Sequence, residues 1–364
     1  MERFTKYKSM IFPREVIVGH NTTDQIKGMC SRLATSKNVL IIADKNTKRI
    51  SGDRIAKILS GASYEVNITV LPSPIIKKEI PVAWPSEKEV NVAIKAATKY
   101  QSELLLGVGG GSVIDVTKVA AYELSKMFIS VPTSAAHDGM ASPRASLKDK
   151  QGSISKTAVS PMAILADTAI ISKAPYRMLA SGCADVVSNL SAVLDWELAH
   201  RLKDEEFSTF AASLSKTSSM LLLDKAEDIR SGFEEAVWQA VKCMITSGVA
   251  MSVAGNTRPA SGAEHMFSHM LDRIAPGKAL HGEQCGVGSI MMLYLHGEDW
   301  ERIRDFLGDI GAPTTAKGLG IPKKQIIEAL LCAQEIRPER YTILGEQGLT
   351  KDAAKKLAKV TGVI

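Results

Sequence analysis

Histidine is scarce in this chain, yet three of its seven copies fall within residues 265–281. His265 and His269, in Gly262-Ala263-Glu264-His265-Met266-Phe267-Ser268-His269, are four apart, so a helix would place them on one face. His281, in Ala279-Leu280-His281-Gly282-Glu283, follows across a Pro276-Gly277 turn that can return the chain to that helix. Neutral imidazole is the commonest metal ligand, and catalytic zinc takes three protein ligands while keeping one position open. Two or three histidines leave a carboxylate to come from elsewhere. Asp185, an acid embedded in what reads as an apolar helix start over Ser181–Asn189, is a candidate; a capping or salt-bridged aspartate fits the spacing equally well. Glu264 and Asp272 could orient the ligands or sit in water.

A second feature suits anion binding. Leu104-Leu105-Leu106-Gly107-Val108-Gly109-Gly110-Gly111-Ser112 runs from a buried strand into a helix. Residues without Cβ let the backbone approach a phosphate, and free N–H groups at a helix start favour an anion. Ser112 and Asp115 have the spacing of a capping box, which would fix the start of that helix. The pattern is not G-x-G-x-x-G, because Ser112 stands at the last glycine position, and the turn follows the fourth strand instead of the first. A turn without a ligand could also use glycine, but three in succession carry an entropic cost that an idle turn has no reason to incur. Asp44 ends an earlier strand, where a carboxylate can meet a ribose hydroxyl or cap the next helix.

These residues need elements to hold them. Short apolar or β-branched runs at Val16–Val18, Val39–Ala43, Glu65–Val70, Leu104–Val108 and Met127–Val131 alternate with helical patterns near 21–34, 47–59, 87–100 and 112–125. Alternation of this kind predicts βαβ units and a parallel sheet covered on both faces, with ligands at the carboxyl ends of its strands. The loops after Ala43, Val108 and Val131 are therefore the first places to look. Arg144–Leu147 and Ser153–Ala158 read as a β-hairpin turning through Asp149-Lys150-Gln151-Gly152. Beyond Tyr176 the pattern is helical, at 176–202, 205–223, 227–252, 260–273 and 284–297. The expected organisation is an α/β domain with a Rossmann-like parallel sheet over 1–170 and an all-α domain over 171–364, since 364 residues exceed the usual size of one core.

Composition narrows the function classes. An apolar fraction of 45% and a charged fraction of 23% are those of a globular protein. The net charge of +6 is spread without runs of like sign, which argues against a nucleic-acid arm or a polybasic membrane patch. It could steer an anionic substrate, or be an ordinary solvated surface. Cys30, Cys183, Cys243, Cys285 and Cys332 are far apart and form no Cys-x-x-Cys pair, so reduced thiols in a cytoplasmic setting are expected. Met1–Phe12 lacks the apolar stretch of a signal peptide, and no window approaches the ~20 apolar residues of a membrane span.

Taken together, Gly109-Gly110-Gly111-Ser112-Val113-Ile114-Asp115, Asp185, His265 and His281-Gly282-Glu283 resemble the superfamily of iron-type alcohol dehydrogenases, glycerol dehydrogenases and dehydroquinate synthases. Within it, Pro132-Thr133-Ser134-Ala135-Ala136-His137-Asp138-Gly139-Met140-Ala141-Ser142-Pro143-Arg144-Ala145-Ser146 and Arg337-Pro338-Glu339-Arg340-Tyr341-Thr342-Ile343-Leu344 look like the archaeal sn-glycerol-1-phosphate dehydrogenase family. The resemblance spans nearly the whole chain. It implies that Asp185, His265 and His281 hold one Zn²⁺, and that His269 faces the substrate instead, against the i,i+4 reading. It implies that Gly109, Gly110, Gly111, Ser112 and Val113 hold the pyrophosphate of NAD or NADP and that Thr133 and Ser134 line the cofactor pocket. Ser142 would approach the nicotinamide, and Asp138, Asp185 and His269 would contact the substrate. Asp44 is where relatives meet the adenosine ribose; a carboxylate there disfavours a 2′-phosphate, although that family often tolerates both cofactors. Relatives assemble as homo-oligomers.

The reaction implied by the resemblance is zinc-dependent reduction of dihydroxyacetone phosphate to sn-glycerol 1-phosphate, the backbone of ether phospholipids. Asp138, His269 or a water relay could carry the proton, with Asp138 and His269 the catalytic candidates. Arg144, Lys156 and Arg258 are candidate phosphate partners. Other readings are a glycerol dehydrogenase acting on free glycerol, a dehydroquinate synthase-like lyase, or a nucleotide- or metal-binding module without turnover. The helical half has no evident extra Lys/Arg series of the kind a sugar-acid phosphonate would need, which counts against the lyase.

Overall fold

A computed structural model describes residues 10–34, 36–72, 75–77, 80–82, 85–149 and 152–364. Ten strands follow one another as β1 (Glu15–Gly19), β2 (Asn38–Ala43), β3 (Glu65–Val70), β4 (Ile75–Lys77), β5 (Ile80–Val82), β6 (Leu104–Gly109), β7 (Met127–Pro132), β8 (Arg144–Asp149), β9 (Gly152–Thr157) and β10 (Ala163–Asp167). Six of them form one parallel sheet in the order β1-β10-β7-β6-β2-β3. The pairs β4/β5 and β8/β9 are separate antiparallel hairpins. In the second hairpin, the expected turn residues Lys150 and Gln151 lie outside the described residues, as do Met1–Ser9 of the N-terminal segment.

Helices α1 (Ile26–Leu33), α2 (Asp53–Ser60), α3 (Glu87–Lys99) and α4 (Gly111–Glu123) connect the strands of the sheet. Strand β2 explains why the sheet is parallel and covered. Its Val39, Ile41 and Ala43 pack with Ile26 and Ile55 on one face, while Leu40 and Ile42 join Val90 and Phe128 on the other. A strand apolar on both faces is what helices above and below require. The chain steps from β2 outward to β3 and then returns across β2 to β6. That reversal puts the crevice between the carboxyl ends of β2 and β6, the customary ligand position in open α/β sheets. Strand β10, written Ala163-Ile164-Leu165-Ala166-Asp167, is an addition to the sequence-based expectation. It lies between β1 and β7, and nothing in a short apolar run separates a buried strand from a helix turn.

From Tyr176 onward the described residues contain helices and no strands: α5 (Tyr176–Val187), α6 (Asn189–Lys203), α7 (Thr209–Leu223), α8 (Glu234–Ala254), α9 (Ala263–Ile274), α10 (His281–His296), α11 (Trp300–Asp309), α12 (Lys323–Cys332) and α13 (Lys351–Val360). The expected helix 176–202 is broken at Ser188, and 227–252 is broken at Gly232, which has φ +67°. Three further corrections bear on function. Asp185 lies in the last turn of α5, not at a helix start. Helix α10 begins at His281, three residues before the expected position. Helix α8 is long and apolar enough to cross a membrane, with a mean hydropathy of 1.2, although 72% of that window is buried inside the protein, so it serves as a core helix.

One apolar core joins the sheet to the helices, running from Leu40 and Phe128 through Val187 and Phe267 to Leu307. Helices α5 and α10 touch within it so closely that a Cβ on Gly282 would lie 1.9 Å from the Ser181 carbonyl oxygen. That oxygen belongs to a helix backbone and cannot yield. Gly282→Ala is expected to lower stability by about 1–3 kcal/mol through overpacking, read from denaturant unfolding. It should also weaken zinc binding, because the contact sets the spacing of His281 from Asp185.

Candidate active site

Three side chains from three helices converge where the helical half meets the sheet. His265 Nε2 and His281 Nε2 each lie 3.7 Å from Asp185 Oδ1. Asp185 is 1% exposed, and its Oδ1 has no hydrogen-bond partner. An orphaned carboxylate oxygen facing two imidazole nitrogens is a costly arrangement unless a cation sits among them. Zinc ligand atoms ~2.0–2.2 Å from a tetrahedral ion lie roughly 3.3–3.6 Å apart, close to the observed spacing. Cys285 Sγ is 3.6 Å from His281 Nε2 and can join the cluster geometrically, although burial raises its thiol pKa well above the ordinary value. His269 stands beside the set, 6.3 Å from His265 and 5.7 Å from His281 between ring centroids, and is not among the side chains whose donor atoms converge with Asp185. Of the i,i+4 pair, His265 therefore stands in the cluster that could hold a cation and His269 beside it.

Hydrogen bonds fix which nitrogen of each ligand points inward. His265 Nδ1–H donates to Glu264 Oε1 at 2.9 Å, leaving Nε2 toward Asp185. Burial alone would lower the His265 pKa, but the hydrogen-bonded Glu264 carboxylate, with Asp185 and Asp138, raises it. Ser268 Oγ donates to Gln284 Oε1 at 2.7 Å and therefore accepts from His281 Nδ1–H at 3.1 Å. Gln284 Nε2 in turn donates to Asp272 Oδ1 at 3.4 Å. Partners of this kind set ring orientation and strengthen ligands. Glu264 thus orients His265 directly and Asp272 acts on His281 only through Gln284 and Ser268, while Ser268 and Gln284 left no signal in the sequence.

In the sheet half, the glycine turn closes β6 onto α4. Helix α4 opens at Gly111 with Gly110 as its cap, and Ser112 makes no capping bond. The capping-box reading therefore gives way. Asp115 is used elsewhere: Oδ1 accepts from the buried Lys118 Nζ at 2.9 Å and Oδ2 from the Ser146 N–H at 2.9 Å. A Cβ on Gly109 would fall 2.6 Å from Val113 Cβ, so the turn can be this tight only without a side chain. Val113 is buried, and its own N–H already donates to Gly110 O at 3.0 Å. The unused donors at the helix start are the N–H groups of Gly111 and Ser112. Thr133 N–H donates to Gly109 O at 3.0 Å, and Ser134 Oγ would lie 3.2 Å from a Cβ on Gly110, so both stand against the turn.

Asp44 caps the helix after β2, with Oδ1 accepting from Asn46 N–H at 2.7 Å and Thr47 N–H at 2.8 Å. The segment after β7 links the two sites. His137 lies directly over Gly111, where a Cβ would meet its Nε2 at 1.5 Å. The Asp138 N–H donates to Asp185 Oδ2 at 3.1 Å, and Asp138 Oδ2 accepts from Ser247 Oγ at 2.6 Å. Burial and then the nearby Asp185 push the Asp138 pKa up to about 6. Ser142 Oγ is buried between Lys118 Nζ (3.4 Å) and the Arg144 carbonyl oxygen (3.1 Å). His137, Ser247 and Lys118 were not among the expected site residues; of these only Lys118 left a signal, a lone charge in an apolar helix three residues after Asp115.

Of the expected phosphate partners, Lys156 pairs with Glu87 at the surface and Arg258 Nε donates to Glu205 Oε1 at 2.7 Å. Both are committed to carboxylates. Arg144 is held only by Ser155 and Thr157.

Comparison with known proteins agrees with this fold and site. The family profile described as iron-containing alcohol dehydrogenase matches residues 17–175. The fold is that of a probable glycerol dehydrogenase from Sinorhizobium meliloti, with a TM-score of 0.80 at 20% identity over 98% of this chain and 100% of that one. Glycerol dehydrogenase from Schizosaccharomyces pombe gives a TM-score of 0.79 at 22% identity over 99% of this chain and 93% of that one. Two relatives are far more alike in sequence. The glycerol-1-phosphate dehydrogenase of Methanococcoides burtonii is 50% identical over 98% of this chain and 97% of its own length. That of Thermococcus sibiricus is 51% identical over 98% of each. The chain belongs to the glycerol-1-phosphate dehydrogenase family.

Removing the carboxylate behind His265 should weaken the metal site without touching a ligand. Glu264→Gln is expected to lower zinc affinity about 10–100-fold, measured by competition with a chromogenic chelator. Unchanged affinity would mean that Glu264 has no part in holding the ligand.

Proposed function

We propose that the chain is a zinc-dependent, NAD(P)-dependent oxidoreductase that reduces dihydroxyacetone phosphate to sn-glycerol 1-phosphate for ether-lipid backbones. The observation that carries this reading is the orphaned Asp185 Oδ1 opposite His265 Nε2 and His281 Nε2. Membership of the family supplies the substrate class. A zinc ion held there supplies Lewis acidity toward a carbonyl oxygen.

The chain's own groups do the rest in this reading. The free N–H groups of Gly111 and Ser112 bind the dinucleotide pyrophosphate at the helix start. Thr133 and Ser134 line its pocket, Ser142 lies toward the nicotinamide, and Asp44 takes the adenosine ribose through Oδ2. The two carriers for the proton are Asp138 and His269. Asp138, with a pKa near 6, can take a proton on Oδ1 close to neutrality, while Ser247 holds Oδ2. His269 is kept neutral by burial and then by the charges of His281 and Arg337, and its Nδ1 has no partner. Residues 1–170 serve as the cofactor domain and 171–364 as the metal and substrate domain. Cytoplasmic residence accords with five free cysteines. Exposed Phe210, Met220 and Leu221 on one face of α7 support a subunit contact in a homo-oligomer.

Purified protein should oxidise NADH or NADPH when given dihydroxyacetone phosphate. A chelator should abolish the rate and added zinc restore it. Faster turnover of free glycerol than of its phosphate would assign a glycerol dehydrogenase, and a reaction without net NADH consumption would assign the lyase.

A further inference from the structure

Three arginines beside α9 stand outside every ion pair among the described residues. Arg340 Nη1 donates to Ser261 O at 2.6 Å and its Nη2 to Thr257 Oγ1 at 2.8 Å. Arg337 Nη1 reaches the same Thr257 Oγ1 at 3.2 Å. Arg144 spends its donors on its own hairpin, with Nη1 to Thr157 Oγ1 at 2.7 Å and Nε to Ser155 Oγ at 3.3 Å. Among the described residues none of the three forms an ion pair, whereas the adjacent Arg258 is clasped by Glu205. The charges act on one another: burial, then Arg337 and Arg258, bring Arg340 down to about 9, and burial, then Arg144, lower Arg337. Glu339 and Glu264 act on Arg337 in the opposite sense, as do Glu205 and Glu264 on Arg340, but from beyond ion-pair distance. Partly buried cations without an ion-pair partner are costly, and a bound anion relieves them.

The cluster also stands at the right place. Thr257 and Ser261 flank the short turn Arg258–Ala260 that leads into α9, the helix that carries His265 and His269. Strand β9 packs on that helix, as does the turn Ala333–Ile336 that leads into Arg337. His269, on that same helix, has a buried Nδ1 without a hydrogen-bond partner. In the substrate the phosphorus is one methylene and one ester oxygen from the carbonyl carbon, so its site must adjoin the metal cluster.

We propose that Arg337, assisted by Arg144, binds the phosphate of the substrate and thereby sets the preference for a phosphorylated ketone over the free one; this rests on the functional reading above. Guanidinium forks match phosphate oxygens in geometry as well as charge. Thr257, itself held by Arg340, positions Arg337, while Arg258 and Lys156 take no part.

The test compares kcat/KM for dihydroxyacetone phosphate and for dihydroxyacetone in the zinc-loaded full chain and in Arg337→Ala, Arg337→Lys and Arg144→Ala. Arg337→Ala should reduce the ratio of the two about 10–100-fold, chiefly through KM for the phosphorylated ketone, with Arg337→Lys recovering part of it. Inorganic phosphate should compete with dihydroxyacetone phosphate in the unmodified chain, and its inhibition constant should rise by a similar factor in Arg337→Ala. Should Arg337→Ala fail to fold, Arg337→Lys and Arg144→Ala carry the same comparison. An unchanged ratio, or equal losses on both ketones, overturns the assignment of the phosphate site. An unmodified chain with no preference for the phosphorylated ketone overturns the functional reading itself, and that is seen before any variant is made.

Discussion

One carboxylate oxygen, Asp185 Oδ1, constrains this molecule more than any other atom. It is buried, it receives no hydrogen bond, and two imidazole nitrogens face it at 3.7 Å. Like-signed electron density brought together out of water is costly, by several kcal/mol for an uncompensated charge. The fold nevertheless invests in the arrangement. Gly282 lets α10 press on α5, Glu264 turns His265 inward, and Ser268 with Gln284 does the same for His281. Each device aims a lone pair at the same point. A cation there turns all of them from costs into attractions.

The second constraint is that the dinucleotide crevice and this point must be neighbours. The sheet reverses direction between β2 and β6, which opens the crevice above the glycine turn. Strand β7 lies next to β6 and its exit does two things in a few residues. Thr133 and Ser134 stand against the turn, and the Asp138 N–H then reaches Asp185 Oδ2. His137, between them, covers Gly111. The glycine turn and Asp185 are thus joined by a single loop whose two ends are tied to different halves of the protein. The arginines beside α9 supply the remaining requirement, a site for the charged end of the substrate.

Much of this was readable from the chain itself, for identifiable reasons. Strands such as Val39–Ala43 and Leu104–Val108 are apolar on both faces, and β-branched or leucine runs bounded by turn residues leave little choice. The glycine turn was readable because its composition is expensive without a purpose. The three histidines were visible as a local cluster, but local spacing favoured the pair His265 and His269, and the geometry instead sets His265 and His281 against Asp185. Asp115 misled for a related reason. Its distance from Ser112 suits a cap, yet the buried ammonium of Lys118 draws the carboxylate away, and that competition is decided by packing. Ser268, Gln284, Ser247 and Thr257 are ordinary polar residues whose partners lie on other elements. No periodicity announces them. Arg258 and Lys156 were reasonable phosphate partners by charge alone, but Glu205 and Glu87, which claim them, are distant in sequence.

The account stands on a cation shared by Asp185, His265 and His281. Crystals of the protein grown with zinc, measured on both sides of the zinc absorption edge, test this directly. The account predicts one strong anomalous peak ~2.0–2.2 Å from Asp185 Oδ1, His265 Nε2 and His281 Nε2, with an open side toward His269. No peak at that point, or a peak whose fourth ligand is Cys285 Sγ and whose open side is closed, would contradict it.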